Sequence, residues 1–338
     1  MKARRASINV KYAGVDITKY VTSDLLSFKY TDNAAENADD IEIELKDEKS
    51  KWLNSWFPGK GDTLEATINI LNWHKDGESK NLSCGSFIID EPEYAGPPSK
   101  LTLKAISTPS NTNFTTTKKS KAWENIKFSA IAQNIADSAG LDLFLDINTD
   151  HLYERKDQSE TSDMSFLSDI CKKEGLGFKV TDSKLVIYDE VKYEQKASVI
   201  KLSKTGGLIN SYSFKTTLTN SSYGGCKVKY RDAKKGTVIE YLYTVKELED
   251  TDKIYVFNEI VTSLDEAMRL AEKTLRQYNK KEVTASLNVV GDLIYLGAVC
   301  VQLVDFGVFS GKYFIDKASH GFPNYNVDLE MHRVLEGY

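Results

Sequence analysis

The chain has 338 residues, of which 41% are hydrophobic and 28% charged, and its formal net charge is −5. This size and composition are typical of a globular protein of two or three domains that can bury a core without disulfides or metals. The acidic balance argues against a general nucleic-acid binder, and no run of 18 apolar residues offers a membrane span.

The four cysteines stand far apart, and none forms a C-x-x-C pair. This pattern predicts buried free thiols in a protein made in a reducing compartment. The N-terminus is basic, but the apolar run of a signal peptide does not follow it.

Alternating hydrophobic residues predict a first β-barrel module in residues 1–110. Strands are expected around Val10 and across Ile41–Leu45, where apolar and charged residues alternate strictly. Five or six such strands with polar turns fit a small barrel. Trp52 and Trp56 stand one helical turn apart, so we predict a short helix that closes one end of this barrel.

An acidic segment within this module raises the question of a calcium site. Its spacing does not match the D-x-[DN]-x-[DN]-G calcium loop, and two of its glutamates share one strand face. A solvated acidic face is the preferred interpretation. The segment contains Asp32, Asn33, Asp39, Asp40, Glu42 and Glu44.

A linker and a small α+β middle domain are predicted for residues 111–195. The segment Pro109–Lys121 is rich in Ser, Thr, Asn and Lys, which is typical of a linker. Apolar residues at helical spacing then predict two helices. The second is capped by Ser162, and each is ended by a glycine, Gly140 or Gly175.

The β pattern returns in residues 196–338, which are predicted to form a second β-barrel module. Gly224 and Gly225 precede a strand and not a helix, so they indicate a bend and not a phosphate-binding loop. The capping box Ser263–Glu266 predicts one helix near 263–279.

One short pattern occurs twice, near the two ends of the chain. Gly85–Asp90 and Gly311–Asp316 both read glycine, polar, aromatic, apolar, isoleucine, aspartate, and both lie between alternating segments. Each copy predicts a central strand between two antiparallel neighbours, hence one module used twice; a chance match is the alternative. The signature positions are Gly61, Asp62, Gly85, Phe87, Ile89 and Asp90 in the first copy and Gly297, Gly311, Tyr313, Ile315 and Asp316 in the second.

No residue pattern predicts catalysis, a metal site or a cofactor. The four histidines form no H-E-x-x-H motif, and the sequence has no G-x-S-x-G elbow and no Walker loop. Asp90 and Asp316 could serve as the two acids of a glycosidase, but duplication explains them more simply. Each is predicted to end its strand by accepting backbone hydrogen bonds in the following turn. We therefore predict that the chain is not an enzyme.

The order and spacing of these motifs resemble the late control D family, the central baseplate hub proteins of contractile phage tails. Related proteins are the hubs of phage-tail-like bacteriocins and the N-terminal part of type VI secretion spike proteins. The resemblance spans essentially the whole chain. It rests on Asp32–Asn33 with Ala38–Ile43, on Trp52–Asp62, on Gly85–Asp90, on Ser162–Gly175 and on Gly311–Phe322.

The resemblance implies an α+β, mainly β chain in which two similar small antiparallel β-barrels flank an α+β insert. It implies a homotrimer whose six barrels form a pseudo-six-fold ring between a six-fold tail tube and a three-fold spike. The implied partners are further copies of the chain, the tail tube protein, the spike protein and other baseplate proteins, without sequence-specific nucleic-acid binding. The protein would be made in the bacterial cytoplasm and assembled into the baseplate of a phage tail or tail-like particle.

Some relatives carry a lysozyme, peptidase or spike domain. This sequence ends at Tyr338, soon after the second signature, so we expect those activities to belong to separate partners.

Two other functions stay open at this point. A tail-associated protein that binds or cleaves peptidoglycan or another carbohydrate would need exposed aromatic residues beside paired carboxylates, and Trp123 and Tyr153 are the local candidates. A tail-fibre or tube-terminating protein would share the location without joining three-fold to six-fold symmetry.

Overall fold

The computed structural model describes residues 2–107, 113–231, 236–261 and 263–338. Strands hold 49% of the residues and helices 17%, which confirms the predicted class, α+β and mainly β. The predicted boundary between residues 110 and 111 and the first part of the Pro109–Lys121 linker lie outside the described residues. The last residues of that linker already belong to a strand that begins at Lys119.

Residues 2–107 form an antiparallel array of strands with one short helix. Apolar and polar residues alternate along most of these strands, which is why each buries one face. The elements are β1 Arg5–Tyr12, β2 Val15–Asp16, α1 Thr18–Asp24, β3 Leu25–Asn33, β4 Asp40–Lys46, β5 Thr63–Leu71, β6 Ser79–Ala95 and β7 Lys100–Ile106.

The middle of the chain packs two helices against short strands. Ser162 caps α3, because its hydroxyl accepts the N–H of Ser165 at 3.2 Å. Gly140 and Gly175 end α2 and α3 in the left-handed conformation, each with φ 69°. The elements are β8 Lys119–Lys127, α2 Phe128–Ala139, β9 Asp142–Asp146, β10 Leu152–Thr161, α3 Asp163–Glu174, β11 Leu176–Thr181, β12 Lys184–Asp189 and α4 Glu190–Gln195.

The last part of the chain returns to strands and contains the longest helix. The predicted N-cap of this helix is confirmed, because the hydroxyl of Ser263 accepts the N–H of Glu266 at 3.2 Å. The elements are β13 Ile200–Ser203, β14 Ile209–Thr216, β15 Gly225–Arg231, β16 Val238–Thr244, β17 Ile254–Val261, α5 Leu264–Asn279, β18 Val283–Val290, β19 Cys300–Val304, a 3-10 turn Gly307–Phe309, β20 Gly311–Phe322 and β21 Asn326–Arg333.

One sheet of thirteen strands runs through both ends of the chain. Its path is β14-β18-β21-β20-β3-β4-β7-β6-β5-β1-β2, and β19 and β13 branch from β20. Within the described residues this path does not close on itself, so the predicted barrels are sections of one shared sheet and not separate closed barrels.

The two sections of the sheet have the same strand order. We call β1 and β3–β7 the first module, with the order β3-β4-β7-β6-β5-β1. We call β13, β14 and β18–β21 the second module, with the order β14-β18-β21-β20-β19-β13. They differ in their inserted elements and in the direction of one strand. The strands β15–β17 and the helix α5 are inserted between β14 and β18, and β13 runs parallel to β19 whereas β1 is antiparallel to β5.

Each module has its own hydrophobic core. Ile43 and Leu45 of the first module and Val289 and Leu303 of the second are fully buried. Burying one such side chain contributes about 1.5–3 kcal/mol, so the alternating strands supply most of the driving force for the sheet. Separate clusters lie around α2 and α3 and beneath α5.

The predicted helix at the two tryptophans is wrong. Residues 48–56 form turns, with Trp52 buried and Trp56 37% exposed. The reason is Asp47, whose carboxylate accepts the N–H groups of Lys51 at 2.7 Å and Leu53 at 3.0 Å. A side chain that binds nearby backbone N–H groups in this way competes with helical hydrogen bonding.

The helices within the described ranges are too short or too polar to cross a membrane.

Candidate functional site: the repeated module and its strand edges

The two signature strands have the same pairing register. In β6, Phe87 lies opposite Leu64 of β5, and in β20, Tyr313 lies opposite Val301 of β19. Both aromatic side chains are fully buried in their own cores. The glycine at the start of each signature has a positive φ, a conformation that glycine adopts readily and other residues rarely do.

A β-bulge follows the isoleucine in both copies. The register of β6 against β7 shifts at Asp90, and the register of β20 against β21 shifts at Asp316. Both strands continue well beyond the bulge, to Ala95 and Phe322. The prediction that each aspartate ends its strand is therefore wrong, because a bulge admits one extra residue without stopping the ladder.

The turn before each signature is also repeated, with an offset of one residue from the sequence motif. The N–H of Gly61 donates to Ile89 O at 2.8 Å, and the N–H of Ala298 donates to Ile315 O at 3.0 Å. Both turn residues have positive φ, 87° and 64°. Ala298 is thus the counterpart of Gly61, and the residue before it, Gly297, has another role.

Gly297 is required by contact between the modules. A Cβ atom there would lie 2.7 Å from the backbone nitrogen of Ala34, at the end of β3. Its N–H donates to the carboxylate of Asp32 at 2.9 Å. The counterpart of Gly297 in the first module is Lys60, which shows that this glycine belongs to the junction and not to the repeat.

The acidic segment is part of the same junction. The ammonium group of Lys179, on β11, contacts Asp32 at 2.6 Å and Asp39 at 3.2 Å, and all three side chains are largely buried. Burial and the nearby charge of Asp32 raise the pKa of Asp39 to about 6 although Lys179 opposes the rise. The predicted solvated face is wrong for these two aspartates, because both are buried around the ammonium group of a lysine from the middle domain.

The second signature aspartate lies at the margin of a buried charge network, and its own side chain is 41% exposed. Asp316 accepts a hydrogen bond from Nδ1 of His332 at 2.8 Å, and Nε2 of His332 lies 2.9 Å from Glu194. Arg276 of α5 contacts Glu194 and lies 2.5 Å from Glu190. In contrast, Asp90 is exposed.

The charges of this network balance. Lys280 contacts Glu190 at 2.8 Å, so three carboxylates face three cations when His332 is protonated. Burial alone would lower the pKa of His332, but the charge of Asp316 and hydrogen bonds to Asp316 and Glu194 raise it to about 9.

Three residues of this network could in principle hold a metal ion. The donor atoms of Glu190, Glu194 and His332 lie within 4.8 Å of one another. However, Arg276 and Lys280 already contact these carboxylates, and His332 is held between two of the network's acids. The arrangement is that of an ion-pair network, which needs no further cation for charge balance.

The two modules meet along a backbone seam that we call the internal seam. Strand β20 pairs with β3 from Lys317 opposite Asn33 to Phe322 opposite Phe28. Within it the rings of His320 and Tyr30 stack with centroids 5.9 Å apart. The hydroxyl oxygens of Ser319 and Thr31 are 3.4 Å apart and buried.

In the two modules, β6 corresponds to β20 and β14 corresponds to β3. Unlike β20 and β3, β6 and β14 each have one unpaired edge. β6 beyond the bulge, Glu91–Ala95, pairs with β7 on one side, and β14 pairs with β18 on one side. Within the described residues neither has a strand on its other side. The side chains of Glu93 and Lys215 on these edges are exposed, and Tyr212 is 45% exposed.

The aromatic candidates for glycan binding are not available at the surface. Trp123 and Tyr153 are each 5% exposed and belong to the core of the middle domain. Trp123 stacks on Phe166 with centroids 6.4 Å apart, and the hydroxyl of Tyr153 donates to Glu174 at 2.9 Å. They are packing residues.

Sequence comparison finds similar proteins in two phages, although no family model matches the chain. The chain is 29% identical over 176 residues to the "Probable baseplate hub protein" of Escherichia phage 186. It is 29% identical over 180 residues to the protein of the same description in Escherichia phage P2. Both alignments cover 51% of this chain and 42% of the relative, so less than half the length of each relative is matched.

Comparison of folds covers nearly the whole chain. A tail protein from Neisseria meningitidis MC58 matches 97% of this chain and 96% of its own, with a TM-score of 0.73 and 12% identity. A 43 kDa tail protein of prophage MuSo2 from Shewanella oneidensis matches 96% and 98%, with a TM-score of 0.71 and 14% identity.

A component of the E. coli type VI secretion system matches 99% of this chain and 78% of its own, with a TM-score of 0.58 and 10% identity. The resemblance to baseplate hub proteins, first indicated by the motifs, is thereby confirmed by sequence over half of the chain. Tail proteins and a component of a type VI secretion system share its fold over nearly all of it.

Proposed function

We propose that this chain is a structural baseplate hub of a contractile phage tail or a tail-like injection system, and not an enzyme. Three copies form a ring of six modules that joins a six-fold tail tube to a three-fold spike. The similarity to two proteins described as probable baseplate hub proteins supports this function, as does the fold shared with tail proteins.

One observation carries the proposal: two modules of the same strand order meet through unlike edges. In the internal seam, β20 of the second module pairs with β3 of the first. A contact between two different surfaces is heterologous, and repeated heterologous contacts form a closed ring when the rotation between neighbours allows it. Two modules in each of three chains give the six repeats that a six-fold tube requires.

The proposal assigns a role to each part of the chain. Residues 1–110 and 196–338 supply the ring modules, and residues 111–195 form the middle domain. The signature residues serve structure, since they place a buried aromatic, a bulge and a turn at the same positions in each module. The tail tube protein, the spike protein and other baseplate proteins are the proposed partners. Synthesis takes place in the bacterial cytoplasm and assembly in the baseplate.

The solution mass of the purified chain tests the ring. Light scattering over a concentration series should give a mass near 114 kDa, three times the 38.0 kDa of one chain. Electron-microscopy class averages along the axis should then display six repeats. A mass of 38 kDa at every concentration, both alone and with the spike protein added, would contradict the proposal.

A further inference from the structure

We propose that neighbouring chains in this ring are joined by backbone pairing between the β6 edge of one chain and the β14 edge of the next. We call this contact the interchain seam and define it by Glu91–Ala95 and Ser213–Thr216. It rests on the proposed trimer and assigns the residues that hold it together. The internal seam supplies the pattern, because β6 corresponds to β20 and β14 corresponds to β3.

The bulge in the signature strands fixes which residue of β6 corresponds to which residue of β20. The five residues after the bulge, Glu91–Ala95 in β6 and Lys317–Gly321 in β20, pair in step with the last strand of their own module. Glu93 is the third of these residues in β6, and Ser319 is the third in β20. Glu93 therefore occupies the place that Ser319 occupies in the internal seam.

A second bulge fixes which residue of β14 corresponds to which residue of β3. The pairing of β3 with β4 shifts at Leu26, and the pairing of β14 with β18 shifts at Asn210. Thr31 lies five residues after the first shift and Lys215 five residues after the second. Lys215 therefore occupies the place of Thr31.

When the residue pairing of the internal seam is applied to the interchain seam, two oppositely charged side chains lie opposite each other. Ser319 pairs with Thr31 in the internal seam, so Glu93 lies opposite Lys215 in the interchain seam. Both side chains are exposed in the single chain. Oppositely charged residues directly across an antiparallel pair attract, and the complementarity favours this register over a shift by one residue, which would also turn each side chain to the other face.

The next position places two aromatic residues together. His320 pairs with Tyr30 in the internal seam, so Tyr94 lies opposite Phe214 in the interchain seam. Tyr94 and Phe214 are half-buried at the margins of their own cores. Pairing them would cover the remaining aromatic surface, as the stack of His320 on Tyr30 does inside the chain.

Two residues make the interchain seam weaker than its internal counterpart. Pro92 stands in the place of Ala318 and has no N–H to donate to a neighbouring strand. Lys60 stands in the place of Gly297, so the close approach of that glycine to Ala34 cannot be repeated. Proline on an edge strand limits non-specific pairing, and this fits an edge that must stay soluble before assembly.

Engineered cysteines test the register directly. The N–H of Ala34 donates to Asp316 O, and the alternation of an antiparallel ladder then makes Ser319 and Thr31 a non-hydrogen-bonded pair. Cα atoms in such pairs are about 4.5 Å apart, which lies in the disulfide range. The natural cysteines are all buried and will compete little.

The variant Glu93→Cys with Lys215→Cys should form covalently linked trimers when oxidised glutathione is added. The control, Glu93→Cys with Ser213→Cys, is out of register by two residues and should cross-link at least tenfold more slowly. Equal rates for the two variants in a protein that is trimeric by light scattering would overturn the interchain seam and leave the ring intact. A wild-type chain that stays monomeric even with the spike protein would overturn both.

Charge reversal provides a second measurement. Glu93→Lys and Lys215→Glu should each raise the trimer dissociation constant at least tenfold, and the two together should restore it in part. Lys49→Glu, at an exposed position outside both edges, should leave the trimer unchanged. Additive effects of the two edge variants, without rescue, would contradict the pairing of Glu93 with Lys215.

Discussion

The first and second modules share their strand order and the bulge after the signature isoleucine, but they differ in what surrounds the signature aspartate. Asp90 is exposed at its bulge, whereas Asp316, at the corresponding bulge and itself half-exposed, contacts the buried His332 of an ionic network. The pairing is set by alternating residues within the strands, which both modules have. The network depends on Glu194 of α4, which contacts His332 of the second module and is paired with Arg276 of α5. A repeated sequence motif therefore predicts the backbone geometry but not the environment of its polar residues.

The first strand of each module also differs in its direction relative to the neighbouring strand. β1 pairs antiparallel with β5, whereas β13, which follows α4 and the middle domain, pairs parallel with β19. Both strands nevertheless occupy the same position in the strand order. Position in a sheet is thus constrained more tightly than strand direction, since either direction covers the neighbouring edge.

The likeness of the modules is tested by their buried aromatic residues. Phe87→Ala and Tyr313→Ala should each lower the free energy of unfolding by about 3–5 kcal/mol, because both side chains are fully buried and their loss leaves a cavity. Urea denaturation measures the two values. A cost near zero at either site would show that the two positions are not structurally equivalent.

Removal of the central cation tests the difference between the modules. Arg276→Met should cost about 3–5 kcal/mol, because Glu190 and Glu194 are then buried without this partner. The control is Arg155→Met, which breaks an exposed ion pair with Glu124 and should cost about 1 kcal/mol or less. Comparable losses in urea for the two variants would argue against a stabilising network.

The network should also respond to pH through His332. Its pKa in the folded chain is about 9, above the usual 6.5, so its stabilising effect is complete below pH 6.5 and is lost as the pH rises through 9. The stability difference between the wild type and His332→Gln should narrow by about 3 kcal/mol between pH 6 and pH 9.5. His74→Gln, at a half-exposed histidine, is the control. A difference that stays constant over this range would mean that His332 does not titrate as described.

The smallest changes in stability are expected when the two signature aspartates are replaced. Asp316→Asn should cost about 1–3 kcal/mol, because the hydrogen bond to a charged histidine is weakened. Asp90→Asn should change stability by no more than about 0.5 kcal/mol, since that side chain is exposed. Equal costs in thermal or urea unfolding would remove the distinction between the modules.

Local patterns in the sequence were sufficient for most of the secondary structure. The alternation across Ile41–Leu45, the caps at Ser162 and Ser263 and the left-handed glycine Gly140 were all predictable. These features depend on residues at most four positions apart, and their hydrogen bonds and burial follow from the backbone period itself. The duplication of the signature was visible because each copy is a run of six consecutive residues.

The tertiary structure decided which distant residues meet. Lys179 neutralises Asp32 across 147 positions, Arg276 pairs with Glu190 across 86, and Gly297 contacts the backbone of Ala34. No local period connects such residues, because their proximity depends on how β20 pairs with β3 and how α5 packs. Sequence periodicity specifies which face of a strand is buried, whereas the partner of a buried charge is specified only once the strands are assembled.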